Sequence, residues 1–307
     1  MSLEDRRSRA DSAPRRPSVV VALPCYNEAA AIPTVLAAYR SALPEAEVVV
    51  FDNASTDGTG ELARSLGARV VEVPQQGKGH VVRAIFATFP EVDALVLTDG
   101  DGTYPAEAAP DLIALVTEQG VDMAVGARRP VDAPGAMSPI RGLGNLIIPA
   151  VFHLLIGPGN SDLLSGYRVF SRRYRRSVRL RAEGFEIETE LASEAVARGL
   201  RVVERPVPYY PRIAGTTSKL RAFRDGRRIL LTIVRQSMRL RPWRILATAG
   251  VPMIGLGWVL GSSVLMLTGG TLAVLAVAPA AYRASRDRER TESVRPLDSG
   301  GRADYPD

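Results

Sequence analysis

The sequence predicts an α/β fold in which a mostly parallel sheet is covered by helices on both faces. Short apolar runs such as SVVVAL at 18–23 and EVVVF at 47–51 alternate with segments of helical composition. Within the runs almost every residue is apolar, which is typical of strands that are buried on both faces. Strands that alternate with helices of about 10–15 residues indicate parallel strands joined by crossover helices.

The alternation is clearest before residue 126 and less regular after it. Predicted strands lie at 18–23, 47–51, 69–73, 94–98 and 121–125. Helices are predicted at 32–43, after the turn-rich loop that begins at Asp52, at 78–89 and at about 106–118. Farther along, an apolar helix is predicted at 146–156, a helix with acidic spacing at 184–199 and a strand at 200–204.

The segment 219–244 has an unusual charge pattern. It carries nine basic residues against one acidic residue, and apolar residues recur between them near helical spacing. A helix with one apolar and one cationic face is typical of segments that lie on anionic membranes. A solvated helix docked on its own domain is the alternative.

The segment 245–282 has no charged residue and is flanked by basic residues on both sides. One membrane crossing needs about 20 residues, and positively charged flanks stay in the cytoplasm. Breaks at Gly261-Ser262-Ser263 and Thr268-Gly269-Gly270 favour a tight transmembrane hairpin; one long span and a re-entrant loop stay open. The prediction is a protein of the cell membrane whose main domain faces the cytoplasm.

These shifts in composition predict five parts. The polar segment 1–17 shows no signal peptide and is expected to be a disordered tail. The α/β domain is expected to occupy 18–218, followed by the basic interfacial helix at 219–244 and the membrane segment at 245–282. Residues 283–307 are expected to form a disordered cytoplasmic tail.

Cysteine and histidine are too few for several kinds of site. The chain has one cysteine, Cys25, and two histidines, His80 and His153. A disulfide framework and a zinc site built on cysteine or histidine are therefore excluded. All but two of the 39 basic residues are arginine, which pairs with phosphate as a planar fork; the two lysines are Lys78 and Lys219.

The fourth predicted strand ends in LTDGDGTYP, which places Asp99 and Asp101 on either side of Gly100. Paired carboxylates repel each other unless a cation lies with them. Because Mg²⁺ and Mn²⁺ accept one or two carboxylates together with phosphate oxygens and water, the favoured interpretation is a metal site for a nucleotide diphosphate. The signature of the haloacid dehalogenase-like phosphatases is similar in sequence, but those enzymes usually carry it on the first strand and also need a lysine and a later acidic pair. The only lysine after Asp101 is Lys219, and no such pair follows it. A plain acidic loop is the remaining alternative.

Other polar residues are expected at the same edge of the sheet. Asn27, Asp52 and Asn53 follow two further predicted strands. The carboxyl ends of parallel strands meet at one edge, and ligands bind there in open α/β sheets. Asp52 and Asn53 offer both an acceptor and donors to a base or ribose.

Four segments of the first half occur together in order: PCYNEAAAI (24–32), FDNASTDGT (51–59), GKGHVVRAIF (77–86) and LTDGDGTYP (97–105). Through them the first half resembles the inverting nucleotide-sugar glycosyltransferases of family 2, which have the Rossmann-like GT-A fold. The second half resembles the branch that uses polyprenyl or dolichyl phosphate, through GAR (126–128), SDLLSGYRVFSRR (161–173), GFEIETE (184–190) and YYPRIAGTTSKL (209–220). Together the matches cover about 18–219, and many relatives carry a membrane anchor after this part.

The resemblance implies the residues of the site. Those expected to bind the nucleotide sugar are Pro24, Tyr26, Asn27, Glu28, Asp52, Asn53, Lys78, Asp99, Gly100 and Asp101. Asp99 and Asp101 would also hold Mg²⁺ or Mn²⁺. Those expected to bind phosphates of the donor or the lipid are Arg128, Arg141, Arg168, Arg212, Ser218 and Lys219. The catalytic candidates are Asp99, Asp101, Arg128 and Glu190.

The reaction implied is metal-dependent, inverting transfer of a sugar from a nucleotide sugar to a polyprenyl or dolichyl phosphate. A lipid monophosphate is already anionic and needs no base, whereas a sugar hydroxyl does. Thr103 stands where mannosyl members have glutamine, so UDP-glucose or UDP-GlcNAc is favoured over GDP-mannose.

Two other functions stay open on the sequence alone. A membrane-associated family 2 enzyme acting on a glycolipid or polysaccharide hydroxyl would use Glu186, Glu188 or Glu190 as base, above all Glu190. A non-enzymatic membrane protein that binds phospholipid would use the basic helix. Nucleic acid is not expected as a partner, since no groove-reading or aromatic-interleaved motif accompanies the basic segment.

Overall fold

A computed structural model of the chain describes residues 17–131, 139–215 and 222–275, with side chains described at 17–131, 147–215 and 224–275. The chain forms two compact units that divide after Gln236. The predicted tails at 1–17 and 283–307 lie almost wholly outside the described residues.

The first unit contains one seven-stranded sheet with the order β3-β2-β1-β4-β6-β5-β7. The strands are β1 Val19–Cys25, β2 Glu47–Asp52, β3 Arg69–Glu72, β4 Ala94–Leu97, β5 Met123–Pro130, β6 Arg168–Ser171 and β7 Val202–Tyr209. All neighbouring pairs are parallel except those of β6, which runs antiparallel to β4 and β5. The predicted mostly parallel sheet is confirmed, and β6 is an element that the alternation did not indicate.

Helices connect the strands and cover both faces of the sheet. They are α1 Ile32–Ala42, α2 Thr59–Ser65, α3 Lys78–Thr88, α4 Ala109–Thr117, α5 Pro139–Leu155, α6 Arg172–Ser177, α7 Ile187–Ala197 and α8 Ala222–Leu240. Along β1, Val21 and Leu23 point into the core under α1 and α4, whereas Val20 and Ala22 point into the core under α3, α6 and α7. Because alternate residues enter two different cores, the strand is apolar throughout.

A third, smaller core lies within the first unit and includes the part of the basic helix α8 that belongs to it. Ile229 and Ile233 of α8 are buried there with Phe152 of α5 and Ala192 of α7. Other apolar side chains of α8, such as Leu231, are exposed. The apolar residues of this helix are therefore divided between its own domain and the surface.

The second unit contains α9, Pro242–Leu260, followed by α10, Ser263–Leu275. Among the described residues, α9 is the one helix long and apolar enough to cross a membrane. The chain turns at Gly261, in the left-handed conformation. A Cβ at Gly250 would lie 2.8 Å from the carbonyl oxygen of Gly269, so the two helices pack closely in antiparallel order. The Thr268–Gly270 break lies inside α10 rather than at a turn.

Candidate active site

A cavity of about 450 Å³ opens at the carboxyl edge of the sheet. Its walls come from the residues after β1, β2 and β4, from the start of α3, from the loop before α7, from the segment after β7 and from the first turns of α8. The ends of three neighbouring parallel strands therefore share one cavity, as the sequence predicts for a ligand site in this kind of sheet.

The loop after β4 carries the two aspartates into this cavity. Gly100 is required between them, because a Cβ there would lie 2.5 Å from Cys25 Sγ at the end of β1. Asp101 is buried, and its Oδ1 accepts hydrogen bonds from the backbone N–H and the hydroxyl of Thr103, at 3.0 and 2.7 Å. Burial, and then the charge of Asp99, raise the pKa of the Asp101 carboxyl above its ordinary value, although Arg212 opposes the shift.

Asp99 is bound by Lys78, whose Nζ lies 2.5 Å from Asp99 Oδ1. The same ammonium lies 2.7 Å from Glu188 Oε1 at the start of α7. Burial alone would lower the pKa of Lys78, but the charges of Asp99 and Glu188 outweigh it and raise the pKa well above its ordinary range. Lys78 is thus a permanent cation held between two carboxylates.

The turn that carries Lys78 packs directly on the backbone before α7. A Cβ at Gly77 would collide with the carbonyl oxygen of Glu183, and one at Gly79 with that of Ala182. Gly79 N–H donates to Glu183 O at 2.9 Å. Both glycines are therefore needed for this close approach. The contact places Lys78 beside α7.

Glu190 fixes the other side of that backbone segment. Its Oε2 accepts hydrogen bonds from the N–H groups of Arg181 and Ala182 at 2.8 and 2.7 Å, and its Oε1 accepts one from Gln236 of α8 at 2.8 Å. Glu190 is buried and does not line the cavity. This placement makes it a support for the segment against which the Lys78 turn packs, rather than a group that faces a substrate.

Arg212 holds the second aspartate. Its Nη1 lies 2.7 Å from Asp101 Oδ2 and 3.8 Å from Glu28 Oε1. The segment after β7 brings Arg212 there, since Tyr210 N–H donates to Thr103 O at 2.9 Å and so ties the segment to the aspartate loop. Each aspartate therefore binds one cation, and each cation has a second carboxylate nearby.

The basic helix α8 forms another wall of the cavity. Arg224, Asp225 and Arg228 line it together with the aspartate loop. Arg224 and Arg228 are four residues apart and thus share one face of the helix. The basic segment is predicted from the sequence, but these residues within it are not; their helical spacing is the signal that identifies them.

The structure brings most of the predicted nucleotide-site residues together. Those that line the cavity are Pro24, Tyr26, Glu28, Asn53, Lys78, Asp99, Gly100 and Asp101, with Arg212 from the predicted phosphate set. The side-chain amide of Asn53 is engaged by the backbone of Val73, Gln75 and Gly77. It shapes the loop that leads to Lys78.

Asn27 and Asp52 lie behind the cavity wall rather than in it. Asn27 Oδ1 accepts a hydrogen bond from Thr56 N–H at 2.8 Å, and Asp52 is buried, with its Oδ1 3.3 Å from Ser55 N. These two side chains hold the loop between β2 and α2 against the end of β1.

Two of the arginines predicted to bind phosphate have other partners in the structure. Arg128 forms a two-pronged ion pair with Asp162, with Nε–Oδ2 and Nη2–Oδ1 distances of 2.8 and 2.7 Å. Arg168 is fully buried in β6 and donates to the carbonyls of Leu163 and Ser165. Because β6 is antiparallel and central, its first residue lies inside the protein. Neither arginine lines the cavity. The side chain of Arg141, and all of Ser218 and Lys219, lie outside the described residues.

The fold and site together define an α/β enzyme with a carboxylate pair and a cluster of cations at the ligand edge of its sheet. Residues 20–173 match the family model described as glycosyl transferase family 2, and the chain belongs to this family. It is a glycosyltransferase, which excludes the phosphatase and the non-enzymatic interpretations.

Known relatives agree with this assignment. The chain is 39% identical to glycosyltransferase AglJ of Haloferax volcanii over 75% of each chain. It is 35% identical to a dolichyl-phosphate hexose transferase of the same organism, over 71% of this chain and 92% of that protein.

A solved structure agrees with the fold. The complex of glucosyl-3-phosphoglycerate synthase from Mycobacterium tuberculosis with Mn²⁺, UDP and glucosyl-3-phosphoglycerate superimposes with a TM-score of 0.57 at 21% identity, covering 78% of this chain and 84% of that one.

Proposed function

We propose that this glycosyltransferase moves a sugar from a nucleotide sugar to a polyprenyl or dolichyl phosphate at a membrane, with inversion and with a divalent cation. One observation carries the proposal: Arg224 and Arg228 of the basic helix line the same cavity as Asp99 and Asp101. A cavity with a carboxylate pair on one wall and arginines on the other suits two phosphate-bearing substrates. The dolichyl-phosphate hexose transferase among the relatives bears the name of such an acceptor.

The cavity residues fit a divalent cation. Asp99 and Asp101 stand on either side of one glycine, and burial, together with the charge of Asp99, raises the pKa of Asp101. The described residues contain no group of three or more acidic, histidine or cysteine side chains placed to hold a metal, so diphosphate and water would complete the coordination, as Mg²⁺ and Mn²⁺ prefer. When bound, the ion would neutralise charge on the leaving diphosphate.

The donor is expected to lie along the sheet edge. Pro24, Tyr26 and Asn53 would contact the nucleoside, and Lys78 and the aspartate pair would contact the diphosphate. Thr103 donates two hydrogen bonds to Asp101. Because it stands where mannosyl members have glutamine, a UDP-sugar is the favoured donor. UDP-glucose and UDP-GlcNAc are the two to test first.

The acceptor phosphate is expected to be held by Arg212, Arg224 and Arg228. One of its oxygens attacks the anomeric carbon, the bond from that carbon to the diphosphate breaks, and the nucleoside diphosphate leaves with the electron pair. The product is a β-linked polyprenyl-phosphate sugar. Arginine donors can bring the two anionic groups together without a proton transfer.

None of the three glutamates considered as a base, Glu186, Glu188 and Glu190, lines the cavity. Glu186 accepts hydrogen bonds from the backbone N–H groups of Glu183 and Gly184. Glu190 accepts from two backbone N–H groups and from Gln236, and Glu188 is paired with Lys78. The hydroxyl-directed alternative would need one of them to leave its partners. We therefore favour the base-free reaction with a lipid phosphate.

The C-terminal part would hold the enzyme at the membrane. We expect α8 to lie at the interface with its exposed apolar residues toward lipid, and α9 with α10 to enter the bilayer as a hairpin. Basic flanks would keep the catalytic domain on the cytoplasmic side.

The test incubates detergent-purified protein with labelled UDP- and GDP-sugars and polyprenyl phosphate. Formation of an acid-labile, organic-soluble product that depends on Mg²⁺ or Mn²⁺ is the expected result. A product that forms only with a glycolipid or oligosaccharide acceptor, and is lost in Glu190→Gln while nucleotide binding persists, would overturn the proposal in favour of the hydroxyl mechanism.

A further inference from the structure

Lys78 forms ion pairs with two carboxylates, and only one of them lines the cavity. Asp99 lines the cavity as half of the aspartate pair, whereas Glu188 is buried behind it. Nζ of Lys78 lies 2.5 Å from Asp99 and 2.7 Å from Glu188. A divalent cation bound to Asp99 would repel the ammonium of Lys78 held on the same carboxylate, so the two cations compete for Asp99.

Glu188 has no competing role of this kind. Within the part of the chain that the structure describes, its Oε2 is buried without a hydrogen-bond partner, and Lys78 is the ion-pair partner of its Oε1. A buried carboxylate with so little other support is stabilised chiefly by its counter-ion. Glu190, two residues away, is by contrast saturated by backbone and amide donors.

We infer that Glu188 is a positioning residue that retains Lys78 in the cavity when Asp99 turns to a metal ion, so that the ammonium passes from Asp99 to the donor diphosphate. The inference rests on the proposed function, since it requires a nucleoside diphosphate and a divalent cation in this cavity. Glu188 touches neither ligand and acts through Lys78.

If Glu188 acted only through its charge, its removal would change nucleotide affinity in the direction opposite to that expected for a positioning residue. Removing a carboxylate near a polyanionic ligand lowers repulsion and should strengthen binding of that ligand. If Glu188 positions Lys78, its removal instead leaves Lys78 paired with Asp99 alone, and binding of the nucleotide with its metal weakens. The sign of the change in affinity therefore separates the two explanations.

Glu188→Gln is compared with Glu186→Gln, which removes the same charge one half-turn earlier. Glu186 Oε1 accepts from Gly184 N–H at 3.1 Å, a bond that glutamine can keep, and Glu186 has no contact with Lys78 among the ion pairs of the described residues. Calorimetry with UDP and Mn²⁺, and in parallel GDP and Mn²⁺, measures binding without acceptor or turnover. Binding to Glu188→Gln should be about tenfold weaker, the usual effect of losing an outer-shell partner, and binding to Glu186→Gln unchanged or tighter.

A double-mutant cycle tests whether Glu188 acts through Lys78. If it does, then Glu188→Gln causes no further loss of nucleotide binding in a Lys78→Met background. Manganese alone, followed by electron paramagnetic resonance, should bind Lys78→Met more tightly than the wild type and Glu188→Gln less tightly than Glu186→Gln.

The possible failures are distinguishable. Wild-type protein that binds neither UDP nor GDP with Mn²⁺ would overturn the proposed function and this inference with it. Wild-type protein that binds, together with a Glu188→Gln variant that binds equally or more tightly, or an additive double mutant, would overturn the inference alone.

Discussion

The two cations that hold the aspartate pair sit in different surroundings. The side chain of Lys78 is 10% exposed, and its partner Glu188 is 6% exposed. The side chain of Arg212 is 29% exposed, on the segment that follows β7. Lys78 is thus built into the fold between α3 and α7, whereas Arg212 reaches the site from a segment tied to the aspartate loop by backbone hydrogen bonds.

Because of this difference, the two cations should contribute differently to the stability of the protein and to ligand binding. Removing one member of a buried ion pair leaves an uncompensated charge and costs about 3–5 kcal/mol, whereas exposed pairs contribute about 0–1 kcal/mol. The Lys78 side should therefore contribute to stability as well as to binding. On the Arg212 side the cation is more exposed but Asp101 is only 3% exposed, so this side should contribute to binding and, to a smaller extent, to stability.

The largest effect is expected from Asp101→Asn, which removes the partner of Arg212 and half of the carboxylate pair. Loss of a metal ligand removes several kcal/mol of transition-state stabilisation, so transfer should fall at least about a thousandfold. Product formation with labelled donor and polyprenyl phosphate measures it. Excess EDTA should reduce the wild type to the same level, and full activity in EDTA would contradict the metal role.

The comparison itself is tested by Lys78→Met against Arg212→Met. Lys78→Met leaves Asp99 and Glu188 facing each other without a cation, and we expect unfolding to become easier by about 3 kcal/mol. Arg212→Met leaves the buried Asp101 carboxylate without its cation, but solvent already reaches this position through Arg212, so it should cost less, about 1–2 kcal/mol. Denaturant unfolding followed by fluorescence measures both, and equal losses would show that burial does not distinguish the two sides.

Gly166→Ala displaces Asp99 without changing any charge. Gly166 lies so close that a Cβ there would overlap the Asp99 carboxylate, and a misplacement of about 1 Å at a reacting group costs about a hundredfold in rate. Transfer should fall by that order, with Lys78 and Arg212 both intact. Gly226→Ala in α8, where a Cβ would meet open space, is the matched control; equal activity of the two variants would contradict this expectation.

The sequence specifies the donor side of the site better than the rest, for a physical reason. Asp99, Asp101 and Asn53 follow parallel strands, and such strand ends meet at one edge whatever the details of packing. Arg168 follows no such rule, because β6 runs antiparallel and begins inside the sheet. Glu188 and Glu190 are two residues apart on α7 and so point to opposite sides of the helix; which one meets Lys78 depends on how α7 packs. Tertiary contacts alone decide that.

The smallest effect is expected on the acceptor wall, at Arg224 and Arg228. Replacing either by glutamine removes one charged donor among several, so the KM for polyprenyl phosphate should rise about tenfold, the scale of one charge-assisted hydrogen bond. Nucleotide affinity should not change, since Lys78 and the aspartate pair remain. Arg227→Gln changes an exposed residue of the same helix that does not line the cavity, and it should leave the KM unchanged. If all three variants raised the KM equally, the arginines would act by attracting the enzyme to anionic membranes, and the cavity-facing pair would have no separate part in binding the acceptor.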